Sequence, residues 1–350
     1  MGRRWRMAHP GTLLGNQRGG FIFAHPFPPL GTVLMGTQFP LALSPESVLV
    51  TGVSVPRQLD QKGSGFVWSE IQRAEARGKK VLVNGQLLLK VHSPLLASKV
   101  VQLLRSLTQA SQPEREKLIR QASRDAFDGP RIEQAWHDLK SQTSGLRLAT
   151  NALFIYLFVL SPVLIWRVGF ERCWLPLLAG LLGLTCTIAI RFHRAHKTLF
   201  PAAEDERFTH FLIFLLSPAT AIRALDVLSR SLLEAYHPVA IAKVFCPAVR
   251  FEALARTYLR ELRYQSLSDG PRQDVTIEDA ERYWQAVSQR TLEDFLKRSG
   301  LDPGALLKPP APTDETCLSY CPRCLAQFTT REGVCADCGG VPLARLKSNV

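Results

Sequence analysis

Two uncharged apolar stretches constrain this chain more than anything else in it. Leu148 to Trp166 (LATNALFIYLFVLSPVLIW) runs 19 residues without a charge, and Cys173 to Ile190 (CWLPLLAGLLGLTCTIAI) runs 18. A helix needs about 20 predominantly apolar residues to cross a bilayer, with about 17 as the lower bound. A core helix of a soluble protein usually keeps a polar stripe, which neither segment shows. Both therefore read as transmembrane helices. Only Arg167 to Arg172 separate them, so the expectation is a tight antiparallel hairpin over 148–190. Pro162 predicts a kink in the first span, with Ser161 placed to bond a backbone group that the kink frees.

The average composition, 46% hydrophobic and 21% charged over 350 residues, hides this unevenness. It does exclude a disordered chain, a collagen-like repeat and a small disulfide scaffold. The formal charge of +13 is uneven too: residues 1–147 carry 20 Lys+Arg against 10 Asp+Glu, and 201–310 carry 14 against 15. Seven basic residues flank the hairpin (Arg131, Lys140, Arg147, Arg191, Arg194, Lys197 and Arg207), whereas its loop holds two, Arg167 and Arg172. The positive-inside rule then puts both flanks and both termini in the cytoplasm, in a plasma membrane or bacterial inner membrane. A basic excess ending just after the apolar region suits anionic lipids at the cytoplasmic face. Nucleic acid is disfavoured, because no aromatic-interleaved basic stripe or recognition motif accompanies the charge.

Met1-Gly-Arg-Arg-Trp-Arg is basic, but no apolar run follows it as in a secretory signal, so the first span is expected to act as its own insertion signal. A third apolar stretch, Phe211 to Ile222, belongs to a segment 208–222 too short to span comfortably and bracketed by Arg207 and Arg223. It reads as an interfacial or re-entrant helix. Its Phe214-Leu-Leu-Ser-Pro218 echoes Phe158-Val-Leu-Ser-Pro162 of the first span, a likeness too short to be a repeat.

After a flexible start over 1–19, residues 20–110 read as a small α+β domain. Phe21–Phe23, Gly31–Leu34 and Val48–Val50 are β-favourable. Lys79–Val83, Asn84-Gly85 and Gln86–Val91 form the strongest short-range hairpin signal, since Asn-Gly supplies positive φ at both turn positions. Ser93-Pro94 then starts an amphipathic helix to about Leu107. This order of strands, final hairpin and closing helix resembles the small pleckstrin-homology-like domains of bacteria, which implies a lipid- or protein-contacting module. Residues 111–147 read as juxtamembrane helices, with Trp136 either at the membrane interface or in helix packing. Residues 191–307 read as helical, with charged side chains on solvated faces, and 308–316 as a stiff Pro-rich linker.

Within 317–345 stands the most specific signal. Cys321-Pro-Arg-Cys324 and Cys335-Ala-Asp-Cys338 are two C-x2-C knuckles ten residues apart. Four thiolates at this spacing can close a tetrahedron around structural Zn²⁺. Phe328, Val334 and Val341 are candidates for the small core, and Gly339 and Gly340 for the turn after the second knuckle. The segment resembles the broad zinc-ribbon family. A redox pair or disulfides are disfavoured by the second knuckle and by cytoplasmic placement. Cys317 can compete as a ligand, although knuckle geometry favours Cys321. Cys173, Cys186 and Cys246 read as small buried hydrophobes.

No phosphate-binding loop, nucleophile elbow or H-E-x-x-H occurs. His193 and His196, near Glu204, Asp205 and Glu206, form the next most metal-like group and read as juxtamembrane polar residues. The fold class is thus a multi-domain membrane protein: a small α+β N-terminal domain, a two-helix transmembrane hairpin, a mainly α C-terminal region and a terminal zinc ribbon. The expected role is a membrane-anchored scaffold or adaptor, without intrinsic catalysis, for a protein partner the sequence does not name. A nucleic-acid-binding ribbon and an enzyme site within the helical region are the rivals.

Overall fold

A computed structural model describes residues 13–15, 21–24, 32–35, 41–50, 65–91, 94–201, 204–233, 235–264, 275–338 and 340–346. The chain is mostly helical, with small sheets in its N- and C-terminal parts. The expected N-terminal flexible segment 1–19 lies largely outside the described residues.

The N-terminal strands form three antiparallel meanders: β1 (Leu13–Gly15), β2 (Phe21–Ala24) and β3 (Thr32–Met35); β4 (Leu41–Leu43), β5 (Ser47–Val50) and β6 (Gly65–Val67); and β7 (Ala74–Arg77), β8 (Lys80–Val83) and β9 (Gln86–Lys90). The Asn-Gly turn forms where the sequence places it, with φ of 51° at Asn84 and 81° at Gly85 and Val83 paired to Gln86. Asn84 does more than turn: its Oδ1 accepts from the N–H groups of Gln72 and Arg73, and its Nδ2 donates to the Glu70 carbonyl. Helix α1 (Pro94–Gln109) buries Leu96, Val100, Val101, Leu104 and Leu107 against these strands, and Arg105 donates twice to the Ala74 carbonyl.

Helix α2 (Gln112–Asp125) opens with a reciprocal Ser111–Glu114 capping box, and α3 (Gly129–Gln142) with Asp128 accepting from Arg131 N–H. Both match the helices read from sequence. Trp136 on α3 is buried with its ring 4.9 Å from that of Phe245, so packing, not the membrane interface, accounts for it.

The first apolar stretch becomes one continuous rod of α4 (Ser144–Ile155), a π turn (Tyr156–Leu160) and α5 (Ser161–Val168). Pro162 has no N–H to give, and the backbone widens ahead of it. Ser161 fills the gap, its N–H and its Oγ (2.7 Å) both donating to the Tyr156 carbonyl. The expected six-residue loop is absent. The chain reverses at Gly169 alone (φ 84°), and α6 (Phe170–Leu199) starts at once. Arg and Glu are good helix formers, so charge ends the apolar run without ending the helix. For the same reason α6 continues nine residues past Ile190.

Helices α7 (Glu204–Leu216), α8 (Pro218–Ala221), α9 (Ala224–Leu233), α10 (Pro238–Phe245), α11 (Ala248–Tyr264), α12 (Val275–Arg298) and α13 (Pro303–Leu306) follow. They share one core with α3 and with the roots of the hairpin: Leu146, Ala149 and Leu153 from α4, and Ile188, Ala189 and Phe192 from α6. Beyond those roots the hairpin emerges. The most apolar 18-residue windows of its two limbs are only 17% and 22% buried, and both limbs are long and apolar enough to cross a membrane. The 208–222 segment does not lie alone: Phe214, Ala221 and Ile222 are in the shared core, as part of α7 and α8 packed on α6.

Candidate metal centre

The C-terminal segment folds as two small sheets. β10 (Ser319–Tyr320) lies between β11 (Gln327–Phe328) and β14 (Ala344–Arg345), and β12 (Val334–Cys335) pairs with β13 (Val341–Pro342). Each knuckle hangs from a short turn. In the first, Leu325 N–H donates to the Cys321 carbonyl at 2.8 Å and Leu325 itself takes φ of 63°. In the second, Gly340 N–H reaches the Cys335 carbonyl at 3.0 Å with φ of 92°. Glycine at 340 meets the demand for positive φ without cost. Leucine at 325 does not, and nothing in the pattern of the sequence foretells it.

The turns bring Cys321, Cys324, Cys335 and Cys338 together, with their Sγ atoms all within 4.8 Å of one another. The Cys324 and Cys335 sulfurs are 3.8 Å apart. A tetrahedron of ~2.3 Å metal–sulfur bonds has edges of ~3.8 Å, so the donor set fits one tetrahedral ion. Burial pushes the Cys324 thiol up to about 11 and Cys338 higher still. Burial also opposes ionisation of Cys321, but hydrogen bonds from the backbone N–H groups of Cys324 and Arg323 and from the Cys324 and Cys335 thiols together outweigh it and hold that thiol below the ordinary value. Four such sulfurs ionise together only around a cation, whose charge inverts the local balance. The arrangement can hold a metal ion, and as a closed all-sulfur set it leaves no open position.

Cys317 stands outside this cluster, half-buried, with its N–H on the Asp314 carbonyl. Phe328 and Val341 pack on the cysteines as expected, joined by Leu343, while Val334 is exposed. Cys335 must point inward, and successive side chains of a strand face opposite ways. Of the remaining thiols Cys173 is buried, Cys246 half-buried and Cys186 exposed on the outer face of α6. His196 is buried against Phe192 and Phe200. The side chains of 204–206 lie outside the described residues, so the acidic half of that group does too.

The helical body holds the first knuckle through a side chain that the sequence reading left on a solvated face. Arg260 of α11 is 2% exposed. It donates to the carbonyls of Pro322 (2.9 Å), inside the knuckle, and of Leu306 (3.1 Å) and Lys308 (2.7 Å) at the start of the linker. The Pro-rich linker is fastened at its far end as well, Gln327 bonding both Thr313 N–H and the Ala311 carbonyl. No family model matches the chain, and no curated protein or solved structure matches it.

Proposed function

We propose that this protein is a membrane-anchored scaffold: the α4–α6 hairpin crosses the bilayer twice, and the β module, helical body and metal-bearing ribbon all lie on the cytoplasmic side. The observation that carries the reading is the surface of the hairpin, where Phe158, Val159, Trp166, Phe170, Leu175, Leu178 and Leu182 face outward. In water such a contiguous surface is a strong liability; in hydrocarbon it is the expected face. Seven flanking basic residues against two at the hairpin tip, Arg167 and Arg172, support the orientation. The ion in the four-cysteine site is Zn²⁺, bound structurally, and the ribbon and β module supply surfaces for a protein partner.

The test has two parts. Membranes washed at high pH retain the protein if the hairpin spans. A cysteine introduced at Arg172 then reacts with an impermeant reagent in intact cells, and one at Asp314 reacts only after lysis, each read as the difference from the parent chain. Extraction by the wash, or labelling at 314 before lysis, overturns the reading. Metal analysis returning iron in place of zinc corrects the ion alone, since a tetrahedral sulfur site accepts either.

A further inference from the structure

Helix α7 is amphipathic in the sense opposite to a helix that faces water. Among its described side chains, those of 207–216, the charged one turns inward: Arg207 is 5% exposed and donates to the Pro201 carbonyl at 3.2 Å. His210 is half-buried, its ring edge-on to Phe192 at 5.5 Å. Over 207–216 the outward face carries Phe208, Leu212, Ile213 and Leu216, with Thr209 the one polar side chain among the described ones. Phe208 is 67% exposed and Leu216 81%. Water-facing helices place these classes the other way round.

Position supplies the second argument. α7 returns antiparallel along the root of α6, with the Phe214 and Phe192 rings 4.7 Å apart. Leu216 lies two residues beyond Phe214, about 3 Å further along the axis at 1.5 Å per residue. That is the level at which the uncharged run of α6 ends, at Ile190. Arg191, Arg194 and Lys197 are exposed on α6 immediately on the cytoplasmic side of that level. The helix then breaks at Ser217, and the break satisfies itself. Ser217 N–H reaches the Ile213 carbonyl, the Ser217 carbonyl accepts from Thr220 and Ala221, and the Ser217 and Thr220 hydroxyls bond at 2.8 Å. Non-helical backbone at membrane depth requires such internal partners.

We propose that α7 is a re-entrant lipid-contacting element whose membrane-proximal end, at Leu216, lies against acyl chains at the cytoplasmic edge of the bilayer, while Leu212 and Phe208 lie at the level of the anionic headgroups held by Arg191, Arg194 and Lys197. The proposal rests on the spanning reading of α4–α6. The experiment replaces Leu216, Phe158 or Lys117 singly with p-benzoylphenylalanine in the full-length protein in native membranes, irradiates, and identifies adducts by mass spectrometry. Leu216 points away from the body, so the larger ring needs no repacking. Lipid adducts at Phe158 and Leu216, well above the background at Lys117, are the expected result. Adducts at Phe158 with none at Leu216, or a protein cross-link at Leu216, overturn the proposal and leave the hairpin reading standing. Absence of lipid adducts at both positions removes the hairpin reading and the proposal with it.

Discussion

Cys335 and Val334 are neighbours that the fold sends in opposite directions, and the ribbon depends on the first of them pointing in. The ligand spacing was legible in the sequence because knuckles are local. The choice of Leu343 over Val334 as core was not, since it follows from strand pairing. Replacing Cys338 with Ser is expected to abolish stoichiometric metal binding and unfold the ribbon while the protein stays in the membrane; metal content and carbonate-washed pellets check the two halves separately. Arg260 makes a sharper case. Its guanidinium satisfies three carbonyls from two segments at a nearly sealed position, and bonds from a charged donor are worth about 1.5–3 kcal/mol each. Arg260→Met is expected to lower stability by about 2–4 kcal/mol, less than the three bonds summed because carbonyls released with the linker regain water, and to open residues 308–316 to limited proteolysis with the metal still bound. Lys at 260 should fall between, because an ammonium cannot fork to three acceptors. Equal protease resistance of the Met variant and the parent would show that the ribbon is held some other way.

At the scale of elements, the two Ser-Pro pairs show how much context decides. In the first apolar rod, Ser161 bonds backward to Tyr156 and the rod continues through a π turn; after α7, Ser217 ends one helix and caps the next, accepting from Thr220 N–H. The sequence marked a kink at Pro162 but read 208–222 as one helix, because the difference lies in what packs alongside. The π turn also aims Tyr156 across the hairpin, where its hydroxyl donates to the Leu177 carbonyl at 2.6 Å over the space left by Gly180. A Cβ at 180 would stand 2.6 Å from that hydroxyl oxygen and 2.9 Å from the ring carbon bearing it. Tyr156→Phe should cost about 0.6 kcal/mol and at most about 1.7, the mean and maximum found for interhelical hydrogen bonds in a membrane protein. Gly180→Ala should cost more, because it displaces the ring as well. Combining Gly180→Ala with Tyr156→Ala should cost less than the sum of the single changes, measured as denaturation midpoints in detergent. Strict additivity would mean the two residues do not touch.

Across the whole molecule, the segments named along the sequence prove less separate than their order suggests. Val287 of α12 is buried in the core of the N-terminal strands, beside Tyr283 and Trp284, and Ser123 on α2 bonds Thr291 at 3.0 Å across 168 residues. Hydropathy and turn chemistry are local signals and carried the two long apolar helices, the Asn-Gly hairpin and the knuckles; a helix that returns to complete a distant core leaves no local trace. The same holds for His237, an unremarked residue in the sequence and the hub of several elements in the fold. It caps α10, its Nδ1 accepting from Val239 N–H at 3.2 Å, stacks on Phe127 at 4.3 Å and meets Tyr258 edge-on. Desolvation among these rings pushes its pKa down to about 3 from the usual 6.5. The folded protein therefore keeps this imidazole neutral where the unfolded chain takes up a proton. Stability from His237 is fully present above pH 6.5 and falls as pH drops from there toward 3, by at most about 1.4 kcal/mol per pH unit. Protonation would also remove the acceptor that caps α10. His237→Asn keeps a capping oxygen without a titrating group, so it should lower stability at pH 7 yet flatten the loss between pH 6.5 and pH 5. Denaturation midpoints of the purified protein in detergent at the two pH values read this directly, and an unchanged slope in the Asn variant would place the acid sensitivity elsewhere.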